Sequence, residues 1–250
     1  MPVHYASETG FIPQLLKLAK KYSLRVVEDA ARSFAGFRNG ERIGKVDDVI
    51  CFSFDGIKNI TSGKGGAIVT SNAALLERVK GGCLLGGEKD SEKRFTGERS
   101  WDFNVSNQGF RFHMSNIMAA IGREHLKKAD GFIQIKKQAV TQYIVLLSSV
   151  KDIECLQHKV EQNAPHIFVI KVLNDKRDYL MHTLRELGIQ CGIHYQPNHY
   201  LKLYKSNDSL PNTELVAKQI LTLPLHTELQ KDDVTYVVGS RVKLLGEYNA

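Results

Sequence analysis

The run Cys51-Phe-Ser-Phe-Asp-Gly-Ile-Lys58 delivers a serine and, five residues later, a lysine, just ahead of a glycine-rich turn at Gly63-Lys-Gly-Gly66. Upstream, Val26-Val-Glu-Asp-Ala-Ala31 closes an apolar run with two carboxylates. Pyridoxal-phosphate chemistry asks for an amine that condenses with an aldehyde, a carboxylate that holds a pyridine nitrogen protonated, and donors for a phosphate. Lys58, Asp29 and Ser53 are the candidates for those three roles.

Each residue also has a plainer reading. A lysine after a strand is ordinarily a solvated charge, an aspartate at a strand end is ordinarily a turn or cap residue, and a serine in an apolar run needs only a nearby carbonyl. Order and spacing together favour the chemical reading. A nucleotide-binding P-loop fails on spacing, because position 58 would have to be glycine and is lysine.

The elements that must position these groups are short. Arg25–Glu28 and Val49–Phe54 are β-branched or aromatic runs with polar or glycine-containing borders, and Ala67–Thr70 is a weaker third. Phe11–Tyr22 carries Ile12, Leu15, Leu16 and Ala19 at helical spacing, and Ala73–Lys80 is again helical in pattern. Alternating helices and buried strands predict an α/β layered architecture with a largely parallel sheet. Asp29 and Lys58 both fall just past a strand's carboxyl end, where such sheets collect ligands.

With these motifs assembled, the chain resembles the sugar aminotransferases of the DegT/DnrJ/EryC1/StrS family, which have the type I (aspartate-aminotransferase) fold of pyridoxal-phosphate enzymes. The resemblance is carried by Glu28–Ala31, Phe52–Phe54, Lys58-Asn59 and Gly63–Gly66. It continues through Gly109-Phe-Arg-Phe-His-Met-Ser-Asn-Ile-Met-Ala-Ala120, Leu187-Gly-Ile-Gln-Cys-Gly-Ile-His-Tyr-Gln-Pro197 and Leu221-Thr-Leu-Pro-Leu-His226.

The resemblance implies that Lys58 forms the imine with the cofactor and then shuttles a proton. Asp29 would hold the ring nitrogen protonated and Ser53 would donate to the phosphate. His113 would reach the phosphate of a neighbouring subunit in a homodimer. His194, Tyr195 and His199 are candidates for the sugar-nucleotide contact, with core or turn roles equally open to each. Arg32 stands where relatives carry Gln or His against the cofactor's phenolic oxygen, and it is longer and permanently charged. Lys64 stands where relatives often carry an acid. The implied activity is transfer of an amino group, from glutamate, to a keto carbon of a nucleotide-linked deoxysugar, in surface-polysaccharide or amino-sugar biosynthesis. Dehydratases on the same scaffold replace the lysine with histidine, so Lys58 argues against that reaction. A non-catalytic remnant or regulatory binding protein is the alternative from another class.

Pro2-Val-His-Tyr5 resembles a strand end well inside the family's cofactor domain, so the chain is expected to lack roughly the N-terminal third. The missing part would supply further phosphate donors and the residue stacking on the ring. On that reading, residues 1–250 alone would be poorly soluble and inactive.

Organisation changes near residue 130. Residues 1–130 are expected to be the later part of a three-layer cofactor domain. Residues 131–250 are expected to form a connector helix around Phe132–Val150 and a smaller α+β domain. Within the latter, strands are expected at Ile167–Leu173 and Ile189–His194 and helices at Lys176–Leu187 and Lys231–Leu245. Gly81–Arg99, with four acidic and four basic residues, reads as a surface loop or lid.

Hydrophobic and charged fractions of 42% and 24% over 250 residues describe a globular protein with a sizeable core. No apolar stretch reaches the length of a membrane span and the N-terminus has no signal-peptide core. Cys51, Cys83, Cys155 and Cys191 lack metal-ligand spacing, so no metal site is expected, and structural thiols in a cytoplasm are the default. The net charge of +7 comes from scattered residues and short pairs such as Lys20-Lys21, Lys127-Lys128 and Lys136-Lys137, which reads as a solvated basic surface rather than a nucleic-acid site. The same charge would favour an anionic nucleotide-sugar.

Overall fold

The computed structural model describes residues 1–9, 11–45, 48–87, 104–156 and 160–248, with side chains described through residue 240. Most of the proposed lid, residues 88–99, lies outside the described residues.

The amphipathic pattern at the start becomes helix α1, Ile12–Lys21, which has a proline in its first turn and buries Ile12 and Ala19. The next apolar run forms strand β1, Val27–Asp29. Asn39-Gly40, both at positive φ, then closes a two-residue turn between β2, Phe37–Arg38, and β3, Glu41–Arg42. Asn-Gly is the pair such a turn favours, because both central residues must adopt the left-handed region. Strands β4, Val49–Ser53, and β5, Gly66–Val69, complete a sheet ordered β1-β4-β5.

The β1–β4 pair is parallel and the β4–β5 pair antiparallel, which corrects the expectation of a largely parallel sheet within this segment. The chain reverses through the glycine-rich turn that ends at Gly66, which brings Gly66 opposite Ser53. Gly66 is required there: a Cβ on it would lie 2.5 Å from the Phe52 carbonyl oxygen. Ala30, Ile43, Ile50 and Phe52 form the core beneath this sheet.

Helix α2, Ala73–Cys83, is capped by Asn72, whose side chain accepts from the Leu75 amide at 2.9 Å. It runs three residues past the expected end, into the segment read as a loop. The long helix α3, Asn116–Leu147, starts far ahead of its expected beginning at Phe132 and is capped by Ser115 accepting from the Met118 amide at 3.3 Å. Among its buried residues, Ala129, Ile133, Lys136, Val140, Tyr143 and Leu147 recur every three or four positions, with Ala139 beside Val140 on the same face.

A second sheet, ordered β6-β7-β8, is antiparallel throughout: β6 is Ile153–Cys155, β7 Phe168–Val172 and β8 Ile220–Leu223. Strand β7 is covered on both faces. Phe168, Ile170 and Val172 join the main core, while Val169 packs with Ala6, Ile167 and Ile220. The Tyr143 ring stacks on Phe168 with centroids 4.8 Å apart, and helices α4, Arg177–Glu186, and α6, Lys231–Tyr248, pack against the same core. Helix α5, Pro211–Gln219, leads directly into β8. The strand expected at Ile189–His194 is instead an irregular segment with a single bridge between Gly192 and Thr222.

Among the described residues, no helix is long and apolar enough to cross a membrane, and no His/Cys/Asp/Glu group could hold a metal ion. All four cysteines are free thiols.

Candidate active site

Register decides which of the two adjacent carboxylates, Glu28 and Asp29, is available. Asp29 pairs with Cys51 across the parallel ladder, so Asp29, Cys51 and Ser53 stand on one face of the sheet. Burial, with the nearby Asp29 charge adding to it, pushes the Cys51 thiol pKa up. Glu28 points to the opposite face and is fully buried. It accepts from His4 Nε2 at 2.8 Å and from Arg38 Nη1 at 2.7 Å, and His4 Nδ1 in turn lies 2.6 Å from Ser33 Oγ. This Ser-His-Glu chain has the connectivity of a hydrolytic triad. All three members are fully buried and Arg38 neutralises the acid, so it acts as a structural clasp holding the first residues and the β2–β3 hairpin onto β1.

Asp29 Oδ1 accepts the Ala31 amide at 3.1 Å, the turn role open to it in the sequence, and it has no ion-pair partner among the described residues. Ser53 Oγ accepts the Asp55 amide at 3.3 Å rather than bonding a carbonyl. Lys58 follows a turn closed by its own amide donating to the Asp55 carbonyl at 3.0 Å, and its side chain is half-buried. No hydrogen bond or ion pair to its amine is formed among the described residues. Burial lowers the Lys58 pKa and the Arg32 charge lowers it further, against the opposing pull of Asp29 and Asp55. Lys64 forms an ion pair with Asp55. That pairing leaves Asp55 less free to hold a proton on Lys58.

Arg32 is 6% exposed, and its guanidinium lies over the Tyr195 ring, 5.0 Å from the centroid. Its Nη1 has no hydrogen-bond partner among the described residues. His194 lies within electrostatic reach of both Arg32 and Lys58; its Nδ1 is 2.9 Å from Thr222 Oγ1, and its pKa is lowered by burial and then by those two charges. The Tyr5 hydroxyl donates to the His194 carbonyl. The structure therefore brings Asp29, Arg32, Lys58, His194 and Tyr195 into one neighbourhood.

Two other expected residues lie apart from it. His199 Nε2 is 3.3 Å from Glu214 Oε1, and the imidazole packs on Tyr200. His113 is exposed and lines a separate cleft of about 1020 Å³ between β4, β5 and α2, together with Phe112 and Ser106.

Two residues were missed in the sequence. Lys136, in a basic pair read as solvated surface, is 6% exposed, donates to Asn59 Oδ1 at 3.2 Å, and is held down to about 8 by burial. His166 is 5% exposed, and burial, followed by the Arg32, Lys136, Lys58 and His194 charges, pushes it down to about 3. The Lys136 position was readable as a buried step in the helical repeat of α3. A lone histidine ahead of a strand gave no such signal.

An unpaired carboxylate, a half-buried amine and an unsatisfied guanidinium nitrogen at the carboxyl ends of a parallel strand pair describe a site for a ligand that is cationic at one point and anionic at another. The fold and this donor set define an α/β transferase of the aminotransferase type. Residues 1–241 match the DegT/DnrJ/EryC1/StrS aminotransferase family, and the chain belongs to that family. An uncharacterized protein of Methanocaldococcus jannaschii is 31% identical over 258 residues, covering 99% of this chain and 67% of its own length. The aminotransferase TlmJ from Streptoalloteichus hindustanus superposes with a TM-score of 0.89 at 26% identity, over 99% of this chain and 66% of that one. Spr1654 of Streptococcus pneumoniae, assigned as a sugar aminotransferase and solved in its PLP form, has a TM-score of 0.87 at 23% identity, over 98% of this chain and 68% of that one; its likeness is one of fold. The chain thus spans about two thirds of the length of these relatives.

Proposed function

We propose that this chain carries the lysine-bearing portion of a pyridoxal-phosphate-dependent aminotransferase that moves an amino group from glutamate to a keto carbon of a nucleotide-linked deoxysugar. The observation that carries this reading is the Lys58 amine, half-buried, without a hydrogen bond among the described residues, and within electrostatic reach of both Arg32 and Asp29. The aminotransferase activity and its cofactor are supported by family membership, and the sugar substrate by the motifs that resemble the family's sugar aminotransferases.

The residues fit the cofactor through complementary charge. Asp29 would face the pyridinium nitrogen, Arg32 the phenolic oxygen through its unsatisfied Nη1, and Ser53 the phosphate. When bound, the cofactor supplies an electron sink for the carbon that loses its proton. Lys58 would hold the cofactor through its Nζ and, once an incoming amine displaces it, would move the proton at that Nζ, a task that its lowered pKa favours. Asp29 would hold the proton on the ring nitrogen. Arg32, fixed against Tyr195, positions negative charge beside Lys58. His194 and Tyr195 would contact the sugar nucleotide, a role supported by their proximity to Lys58 and Arg32.

We place the reaction in surface-polysaccharide or amino-sugar biosynthesis, in the cytoplasm, in a homodimer. The dimer is supported by exposed apolar residues around His113: Phe110, Phe112 and Ile117 are 54%, 71% and 76% exposed. The test is to measure cofactor absorbance and glutamate-dependent amination of nucleotide-linked ketosugars with these residues in a chain of the relatives' full length. Absence of both in a folded protein would reject the proposal.

A further inference from the structure

Lys58 stands in the loop of residues 54–65, between the end of β4 and the start of β5. Backbone hydrogen bonds close the base of this loop: the Phe54 amide donates to the Gly65 carbonyl at 2.9 Å and the Ser62 amide to the Phe54 carbonyl at 3.0 Å. Gly56 and Ile57 are exposed, and the chain turns inward at Asn59, which is buried. Asn59 Nδ2 donates to the Ala164 carbonyl at 2.9 Å, and its Oδ1 accepts from Lys136 Nζ at 3.2 Å. A carbonyl can only accept and an ammonium can only donate, so these two neighbours together admit one orientation of the amide.

Lys136 occupies a step of the buried stripe of α3. Burial holds its pKa down to about 8, with no carboxylate acting on it among the described residues, and a buried ammonium so placed costs stability. An apolar side chain at that step would avoid the cost. What the lysine supplies is the hydrogen bond to Asn59. Its charge acts on His166, whereas the charges acting on Lys58 are those of Arg32, Asp29 and Asp55. Lys136 therefore reaches Lys58 through Asn59 rather than through its field.

We infer that Lys136 is a positioning residue for the candidate imine lysine: it locks the orientation of Asn59, and Asn59 holds the backbone from which Lys58 extends. The role of Lys58 in this inference rests on the aminotransferase reading above. With the amide locked, the Lys58 amine stays half-buried and within electrostatic reach of Arg32 and Asp29. With the amide free to turn, the loop loses its inward anchor and the amine moves toward solvent, where its pKa returns toward the ordinary lysine value.

The test places these residues in a chain of the relatives' full length and labels the cofactor-free protein with acetic anhydride across a pH series. Mass spectrometry of the Lys58 peptide gives the pH midpoint of labelling, and cofactor absorbance and turnover are read separately. Lys136→Met keeps the length of the side chain and removes the donor. It should raise the Lys58 midpoint by about half a pH unit or more and lower kcat about tenfold or more with KM little changed. Lys136→Arg, which keeps a donor for Asn59, should restore both. Asn59→Leu should reproduce the methionine variant, and it decides the matter if that variant does not fold. Leu180→Ala, a cavity in the separate core under β7, lowers stability without touching the loop and should leave the Lys58 midpoint in place. An unchanged midpoint in either folded loop variant, or an equal shift in Leu180→Ala, overturns the inference. A wild type that takes up no cofactor rejects the aminotransferase reading, while the labelling, made without cofactor, still decides whether Lys136 positions Lys58.

Discussion

Lys136 Nζ donates to Asn59 Oδ1 at 3.2 Å, and Asn59 Nδ2 donates to the Ala164 carbonyl at 2.9 Å. The residue beside the candidate nucleophile is thereby tied to the long helix on one side and to the approach to β7 on the other. Ser7 adds to the same knot, its hydroxyl placed between the carbonyls of Arg32 and Ala164. Ala164 is fully buried, and two residues later the chain delivers His166. The position of Lys58 is thus set by three elements that are remote in sequence.

The amine at position 58 is the chemical centre of the proposal. Lys58→Ala should lower amino transfer by about a thousandfold or more and remove the visible absorbance of bound cofactor. Circular dichroism and thermal melting should stay close to wild type, because the side chain is only half-buried and fills no core cavity. Full turnover by the variant would remove Lys58 from its assigned role.

Asp29→Asn tests the carboxylate. An amide can still accept the Ala31 hydrogen bond, so the turn should survive while the negative charge is lost. Turnover should fall by roughly a hundredfold or more, with cofactor still bound. A rate equal to wild type would reduce Asp29 to its turn role.

Glu28 should matter to stability rather than to chemistry. Burial alone would raise its pKa, but the His4 and Arg38 hydrogen bonds and charges outweigh that and hold it below the usual carboxylate value. Its stabilising contribution is therefore present above the unfolded-state pKa and is lost as pH falls through the folded one, in the acid range. Glu28→Gln leaves Arg38 buried beside a neutral partner and should cost about 3–5 kcal/mol in urea unfolding at neutral pH. A loss below about 1 kcal/mol would be inconsistent with the clasp.

Lys136 gives the opposite slope. Its folded-state pKa is about 8 against an ordinary 10.5, so between those values the unfolded chain binds more protons. Stability from this group should rise with pH across that window, by about 3 kcal/mol in total. Lys136→Met should lack this rise when unfolding is compared at about pH 7.5 and about pH 10. An identical pH response in wild type and variant would show that the amine is not desolvated.

Features set by neighbours along the chain were legible without the structure. The apolar spacing of α1 and α4, the apolar run of β7, the Lys58–Gly66 motif and the family resemblance all rest on local stereochemistry and short-range periodicity. Features set by pairing were not. The reversal of β5, the reduction of Ile189–His194 to one bridge, and the strand β8 hidden behind α5 depend on which backbone finds a partner. Composition placed Lys136 on the surface because lysines are seldom buried, against the helical repeat of α3 that turns it inward. Glu28 and Asp29 are adjacent acids that the sequence cannot rank. Successive strand residues face opposite ways, so the register of β1 on β4 sends one into the His4–Arg38 clasp and leaves the other facing Lys58.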